Sequence, residues 1–204
     1  MFTQMKKRKY TKSLRAEQQE ETRQRIIDAL IALHQEVGPA NTTVKAVAEK
    51  AGVQRLTVYR HFPDETGMLQ ACTSHWLELH PPPDMTEWKE IDDAADRSRK
   101  ALLSFYRYYR QTEAMWNSSY RDVDSVEALQ APMAEFEAYL DHVTAELVNA
   151  WKKTKTVKSL LKTTLRHGLR FYTWQSLKNE NLSDEKIATL VANWLSGIIE
   201  SRNN

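Results

Sequence analysis

The stretch "TTVKAVAEKAGVQRLTVYRHFP", residues 42–63, decides how this chain folds. Val44, Val47, Ala48 and Ala51 recur at three- and four-residue intervals, which predicts a short helix with one inward face. Thr42 or Thr43 offers a hydroxyl to cap its start, and Gly52 tolerates the left-handed backbone that ends it. Val53 and Val58 then return to the core. A second short helix is predicted from about Gln54 to Phe62, stopped by Pro63, which cannot continue the hydrogen-bond ladder. Two helices that cross steeply through a tight turn need small residues at their closest approach, and Ala48 and Gly52 stand where bulk would clash. This is the pattern of a helix-turn-helix, although a plain helical hairpin shares the spacing.

Working outward, Ile26, Ile27, Leu30, Ile31, His34 and Val37 form the stripe of a preceding helix, about 17–37, that Gly38-Pro39 ends. Downstream, a connecting helix over about 64–80 places Met68, Leu69, Cys72, Trp76 and Leu79 at core spacing. Pro81-Pro82-Pro83 is the clearest break in the chain. Beyond it the pattern predicts a long amphipathic segment over 86–116, a Ser/Asp-interrupted stretch, and a helix around 126–152. Two final helices carry Val157, Leu160, Leu161, Leu165, Leu169 and Tyr172, then Ile187, Leu190, Val191, Trp194, Leu195 and Ile198. Ser183, Asp184 and Glu185 suit the start of the last one. The expected fold is all-α, about nine helices: a flexible basic arm over 1–16, a three-helix head over 17–63, and a larger helical-bundle body over 81–204.

Composition narrows the function. The chain has 204 residues, with 5 glycines and 6 prolines to punctuate long helix-forming runs. A single cysteine rules out an internal disulfide framework and suits a reducing compartment, so a cytoplasmic location is expected. No apolar run approaches a membrane span. Residues 1–63 carry 12 Lys and Arg against 6 Asp and Glu, and the remainder carries 17 against 21. The positive charge therefore sits at the front, where a polyanion would be met. There is no nucleophile beside a base, no glycine-rich phosphate loop and no paired metal-ligand motif, so neither an enzyme nor a cofactor is expected. Cys72, His75 and Glu78 drift around one helix and do not converge as metal ligands would.

If Val58 and Phe62 face inward, Gln54, Arg55, Thr57, Arg60 and His61 face outward or sideways. An arginine can take guanine O6 and N7 together, Leu56 can meet a thymine methyl, and hydroxyls on Thr43, Thr57 and Tyr59 suit phosphate oxygens. The implied partner is double-stranded DNA. The run "TTVKAVAEKAGVQRLTVYRHFPDETGMLQAC", preceded by "TRQRIIDALIALHQEVG", resembles the DNA-binding domain of the TetR family of transcriptional regulators over about residues 20–72, most specifically in "TVYRHF". The resemblance implies a three-helix head, a helix joining head to body, an all-helical ligand-binding body and a homodimer. It further implies that Arg55, Leu56 and Thr57 occupy recognition positions, that Tyr59 contacts phosphate, and that Arg60 and His61 flank the backbone. Two positions depart from the pattern. Gln54 replaces a small hydroxyl residue, and Glu65 stands where a lysine usually meets phosphate, so the connecting helix is not expected to touch DNA. Lys6, Lys7, Arg8 and Lys9 can follow an adjacent groove as an arm, or simply be solvated.

In the body, aromatic residues cluster around "FYRYYRQTEAMW", residues 105–116. Phe105, Tyr109, Trp116, Tyr120, Tyr139 and Trp174 are candidates for the wall of a pocket taking a small, largely apolar or aromatic ligand, with core packing as the alternative. Glu137 and Asp141, one turn apart, suit a solvated face or a cationic ligand. The last two helices, with Gly168 and Gly197 allowing close approach, pack within the chain or, as the resemblance implies, form a four-helix bundle across a two-fold axis. Three functions follow: a ligand-responsive regulator, most simply a repressor; a constitutive DNA-binding regulator; and an all-helical small-molecule-binding protein.

Overall fold

The computed structural model describes the backbone of residues 2–200 and the side chains of residues 14–200. Among these residues the chain forms nine α-helices and no strand. They are α1 (Phe2–Glu36), α2 (Val44–Ala51), α3 (Arg55–His61), α4 (Glu65–Leu79), α5 (Ala94–Asp122), α6 (Glu127–Ala150), α7 (Lys155–Gly168), α8 (Phe171–Asn179) and α9 (Asp184–Glu200). Short 3-10 turns span Pro39–Asn41 and Met85–Glu87. The all-α expectation and its helix number hold. α1 starts at Phe2, well ahead of the boundary expected near residue 17, because no glycine or proline interrupts residues 2–36 and only the apolar stripe fades there.

The chain divides into two compact units. A head unit comprises the residues up to Leu79 together with Asn117–Gln130, and a body unit comprises His80–Trp116 and Ala131–Asn204. Pro81-Pro82-Pro83 lies just after Leu79, where the first segment of the head unit ends. That residues 117–130 belong with the head is new.

Within the head, Ile26, Ile27 and Leu30 of α1 pack with Val47 and Ala48 of α2, Val58 of α3, and Met68 and Cys72 of α4. Leu79, expected at core spacing, is instead 58% exposed at the end of α4, where the stripe has outrun the helices it packs against. The Thr43 hydroxyl accepts the Ala46 amide at 3.1 Å and caps α2. Gly52, at φ 66° and ψ 39°, closes that helix: its amide reaches Glu49 O at 3.2 Å, and the Val53 amide reaches Ala48 O at 2.9 Å. These two bonds are a Schellman ending, which sets the direction from which α3 begins. Thr43→Ala should lower the unfolding free energy of the head by about 1 kcal/mol, read as a shift in its denaturant midpoint; no shift would mean water replaces the cap without loss.

In the body, α5 bends at Thr112, whose φ of −118° and ψ of 15° leave the helical region while its hydroxyl donates to Tyr108 O at 2.5 Å. The chain after residue 154 forms three helices, not the two expected. Tyr106 Oη donates to Gly168 O and Tyr109 Oη to Leu169 O, both at 2.8 Å. These buried hydroxyls take carbonyls that a continuous helix would bond to the Tyr172 and Thr173 amides, so α7 ends and α8 starts afresh. Tyr172 therefore lies on α8 and is 50% exposed rather than continuing the α7 stripe; Leu160 on α7 is also exposed.

Candidate nucleic-acid interface

The frame of α2 and α3 is held from behind. Val47 and Val58 are essentially inaccessible, Phe62 is buried beneath the Arg23 guanidinium at 5.2 Å, and Arg25 Nη2 donates to Ala51 O at 2.9 Å. Gln54 occupies the cap position of α3 without a side-chain cap bond, as its departure from a hydroxyl residue implies. The outward face is as the periodicity predicts for most positions. Gln54, Arg55, Tyr59 and Arg60 are exposed, and Leu56 is 77% exposed, a large apolar side chain left without cover on a seven-residue helix. Thr57 is half-buried on the flank. Thr43 spends its oxygen as an acceptor for the cap, which leaves its O–H as a donor.

His61 differs from the expectation. It is half-buried, its Nε2 is buried with no hydrogen-bond partner among the described residues, and burial, Arg60 and Arg23 together hold its pKa below the usual imidazole range. Lys6, Lys7, Arg8 and Lys9 have side chains outside the described residues.

Two groups that the sequence considered as ligand sites are engaged elsewhere. Cys72 Sγ lies 3.6 Å from His34 Nδ1, while His75 Nε2 is 2.7 Å from Gln24 Nε2 and its Nδ1 is 3.5 Å from Glu78. Glu137 and Asp141 are both held by Arg166, whose Nε is 2.6 Å from Asp141 Oδ1. The two carboxylates thus share one guanidinium, with Asp141 still exposed to solvent.

Of the six aromatic candidates, Phe105, Tyr109, Trp116 and Trp174 are buried in one continuous ring cluster of the body. Tyr109 lies between 6.0 and 6.3 Å from Phe105, Trp116 and Trp174. Trp174 Nε1 donates to Asp184 Oδ1 at 3.0 Å, and Arg110 grips the same carboxylate through two bonds of 2.7 and 2.8 Å. Tyr139 stands at the cluster's edge, its hydroxyl donating to Pro83 O at 2.5 Å. Tyr120 belongs to the head unit.

What the sequence missed is a clasp inside the head. Asp122 is buried, accepts the Ala40 amide at 3.0 Å and pairs with Arg121, which donates to Val37 O at 3.0 Å. These partners stand more than eighty positions apart in sequence, so no local signal announces them.

Known proteins place this head. Residues 26–72 match the pattern of "Bacterial regulatory proteins, tetR family". Residues 26–72, which include α2 and α3, are therefore similar to that family. The regulator SrpR of Pseudomonas putida is 44% identical over 73 residues, 34% of this chain and 34% of its own. TtgW, an uncharacterized HTH-type transcriptional regulator also of Pseudomonas putida, is 42% identical over 73 residues, 34% of this chain and 54% of its own. The chain thus spans only about a third to a half of these relatives. A TetR-like transcriptional regulator from Rhodococcus sp. RHA1 shares the fold more widely, with a TM-score of 0.62 over 85% of this chain and 93% of that one, at 16% identity. No helix among the described residues is long and apolar enough to cross a membrane.

Proposed function

We propose that the protein is a sequence-specific DNA-binding transcriptional regulator, a repressor that leaves its operator when a small molecule binds, acting as a homodimer. The observation that carries this reading is the outward face of α3: Arg55, Leu56, Tyr59 and Arg60 stand exposed on a helix whose other side is locked by Val58 and Phe62. A seven-residue helix reads few bases, so two copies on an inverted repeat are needed for useful discrimination. The last helices supply surface for a second copy. Leu160 and Tyr172, with Leu190 and Trp194 on α9, are large apolar side chains left exposed, and a side chain at Gly197 would meet open space. Gly168 is used otherwise: a Cβ there would lie 2.6 Å from Val191, so its smallness serves the contact of α7 with α9 within the chain.

Ligand and DNA would oppose each other through a reciprocal coupling free energy. One observation favours a constitutive regulator instead: the aromatic cluster of the body packs ring on ring, with the Tyr109 hydroxyl and the Trp174 indole N–H bonded inside the chain. Selection of bound duplexes from a random library at moderate salt tests the main reading. It should enrich an inverted repeat; salt-sensitive binding without a motif would remove the regulatory reading. On the selected site, Arg55→Ala should cost about 1–3 kcal/mol and flatten preference at one base position, while binding to unrelated duplex changes little. Equal losses on both would show that Arg55 contacts phosphate and does not read a base.

A further inference from the structure

The head unit holds a cavity of about 480 Å³, the size of a site for a drug-sized molecule. Its floor is apolar, made by Leu30 of α1, Val44 of α2, and Met68 and Leu69 of α4, and Val126 closes it from the turn before α6. Among its polar lining groups are His34, Thr42, Thr66 and Ser125. His34 is only 5% exposed, and its Nδ1 faces the Cys72 sulfur.

The charge of the lining selects the occupant. Glu65 and Glu127 are its charged residues, both solvent-facing and neither in an ion pair among the described residues, and no lysine or arginine lines the cavity. Pro132 adds to this: having no amide, it leaves the Ala128 carbonyl without its i+4 donor in α6, and Ala128 is a lining residue. An apolar floor beneath two carboxylates attracts a molecule with an apolar body and a positive head, and repels an anion.

We propose that this cavity is a binding site for a small organic cation, with its apolar part over Leu30, Met68 and Leu69 and its ammonium group toward Glu65 and Glu127. The site is distinct from the aromatic cluster of the body. It lies against Thr42 and Val44, where α2 begins, and against the first turn of α4, so its occupant bears on the two helices that frame α3. Resting on the DNA-binding reading, the site would make the head itself responsive to a ligand.

Calorimetric titration of the full chain, without DNA, tests the site. The probes are benzyltrimethylammonium, benzyl alcohol and benzoate. The cation should bind saturably at one site per chain, the alcohol more weakly and benzoate not at all. The double variant Glu65→Gln, Glu127→Gln changes only exposed side chains, so it should fold normally by thermal unfolding and bind the cation about tenfold more weakly. Unchanged cation affinity in that variant would place the probe elsewhere and overturn the proposal, as would the absence of saturable binding. Since this titration contains no DNA, its failure beside an enriched inverted repeat sinks the cavity site alone. Success without any enriched motif would sink the regulatory reading and leave the site standing.

Discussion

Gly38→Ala should destabilise the head unit by about 3 kcal/mol, a large loss for one methyl group. Two costs combine. Gly38 sits at φ 89° and ψ 160°, a region that residues with a side chain avoid, so alanine there is strained whatever the space. The space is also taken: a Cβ would stand 1.9 Å from Arg121 Nη2 and 2.4 Å from Asp122 Oδ2. Arg121 is exposed and can move, but Asp122 is buried and bonded to the Ala40 amide, so relief means opening the clasp that holds residues 117–130 to the turn before α2. Gly52→Ala is the control. Gly52 also has a positive φ, 66°, but its nearest neighbour would be Arg25 Nη2 at 4.0 Å, so the backbone penalty stands alone at about 1 kcal/mol. Chemical unfolding of both variants gives the comparison. Equal, small losses would mean that the clasp is not tight enough to feel a methyl group.

The second large effect is acid sensitivity centred on His34. Burial lowers its pKa from 6.5 to about 4, and the opposing influence of Asp122 is the smaller of the two. The native ring therefore stays neutral where the unfolded one takes up a proton, so the unfolded state binds more protons between those values and stability falls as pH falls. Stability is full above pH 6.5, declines through the window, and has lost roughly 3 kcal/mol from this residue once pH passes below about 4. The groups facing the ring do not blur the window. Burial pushes the Cys72 thiol up to about 12, and the Arg121 hydrogen bond holds the Asp122 carboxyl below the usual carboxylate range. Urea midpoints measured from pH 7 to pH 4 should slope steeply for the natural chain and much less for His34→Gln. Parallel slopes would assign the acid sensitivity to other groups.

The helix-turn-helix was legible because everything that makes it is local. A capping hydroxyl at Thr43, small residues at Ala48 and Gly52, and the stop at Pro63 act on their immediate neighbours, so a linear reading captures them. Even there His61 escaped, because its burial depends on what α1 brings beside it, including Arg23. In the body the periodicity identified apolar stripes but not their ends. The break after Gly168 has no proline or acid to mark it; it exists because two tyrosines sixty residues earlier in the chain reach the carbonyls on either side.

The aromatic residues show the same limit from the side of function. Polar-tipped rings at helical spacing read equally as a pocket wall or as core, and only the partners of those tips tell the two apart. Tyr109 ends a helix, and Trp174 shares Asp184 with Arg110. By itself the sequence determined the helical class, the inward face of α2 and α3 and most of the residues left exposed on α3, since each follows from spacing within a few turns. Only the tertiary structure decided that residues 117–130 join the head, that Asp122 clasps the turn at Gly38, and that a cavity beneath Glu65 and Glu127 lies beside the start of α2. Hydrogen bonds and cavities between segments some eighty positions apart depend on how helices meet in space, and no periodicity along the chain encodes that meeting.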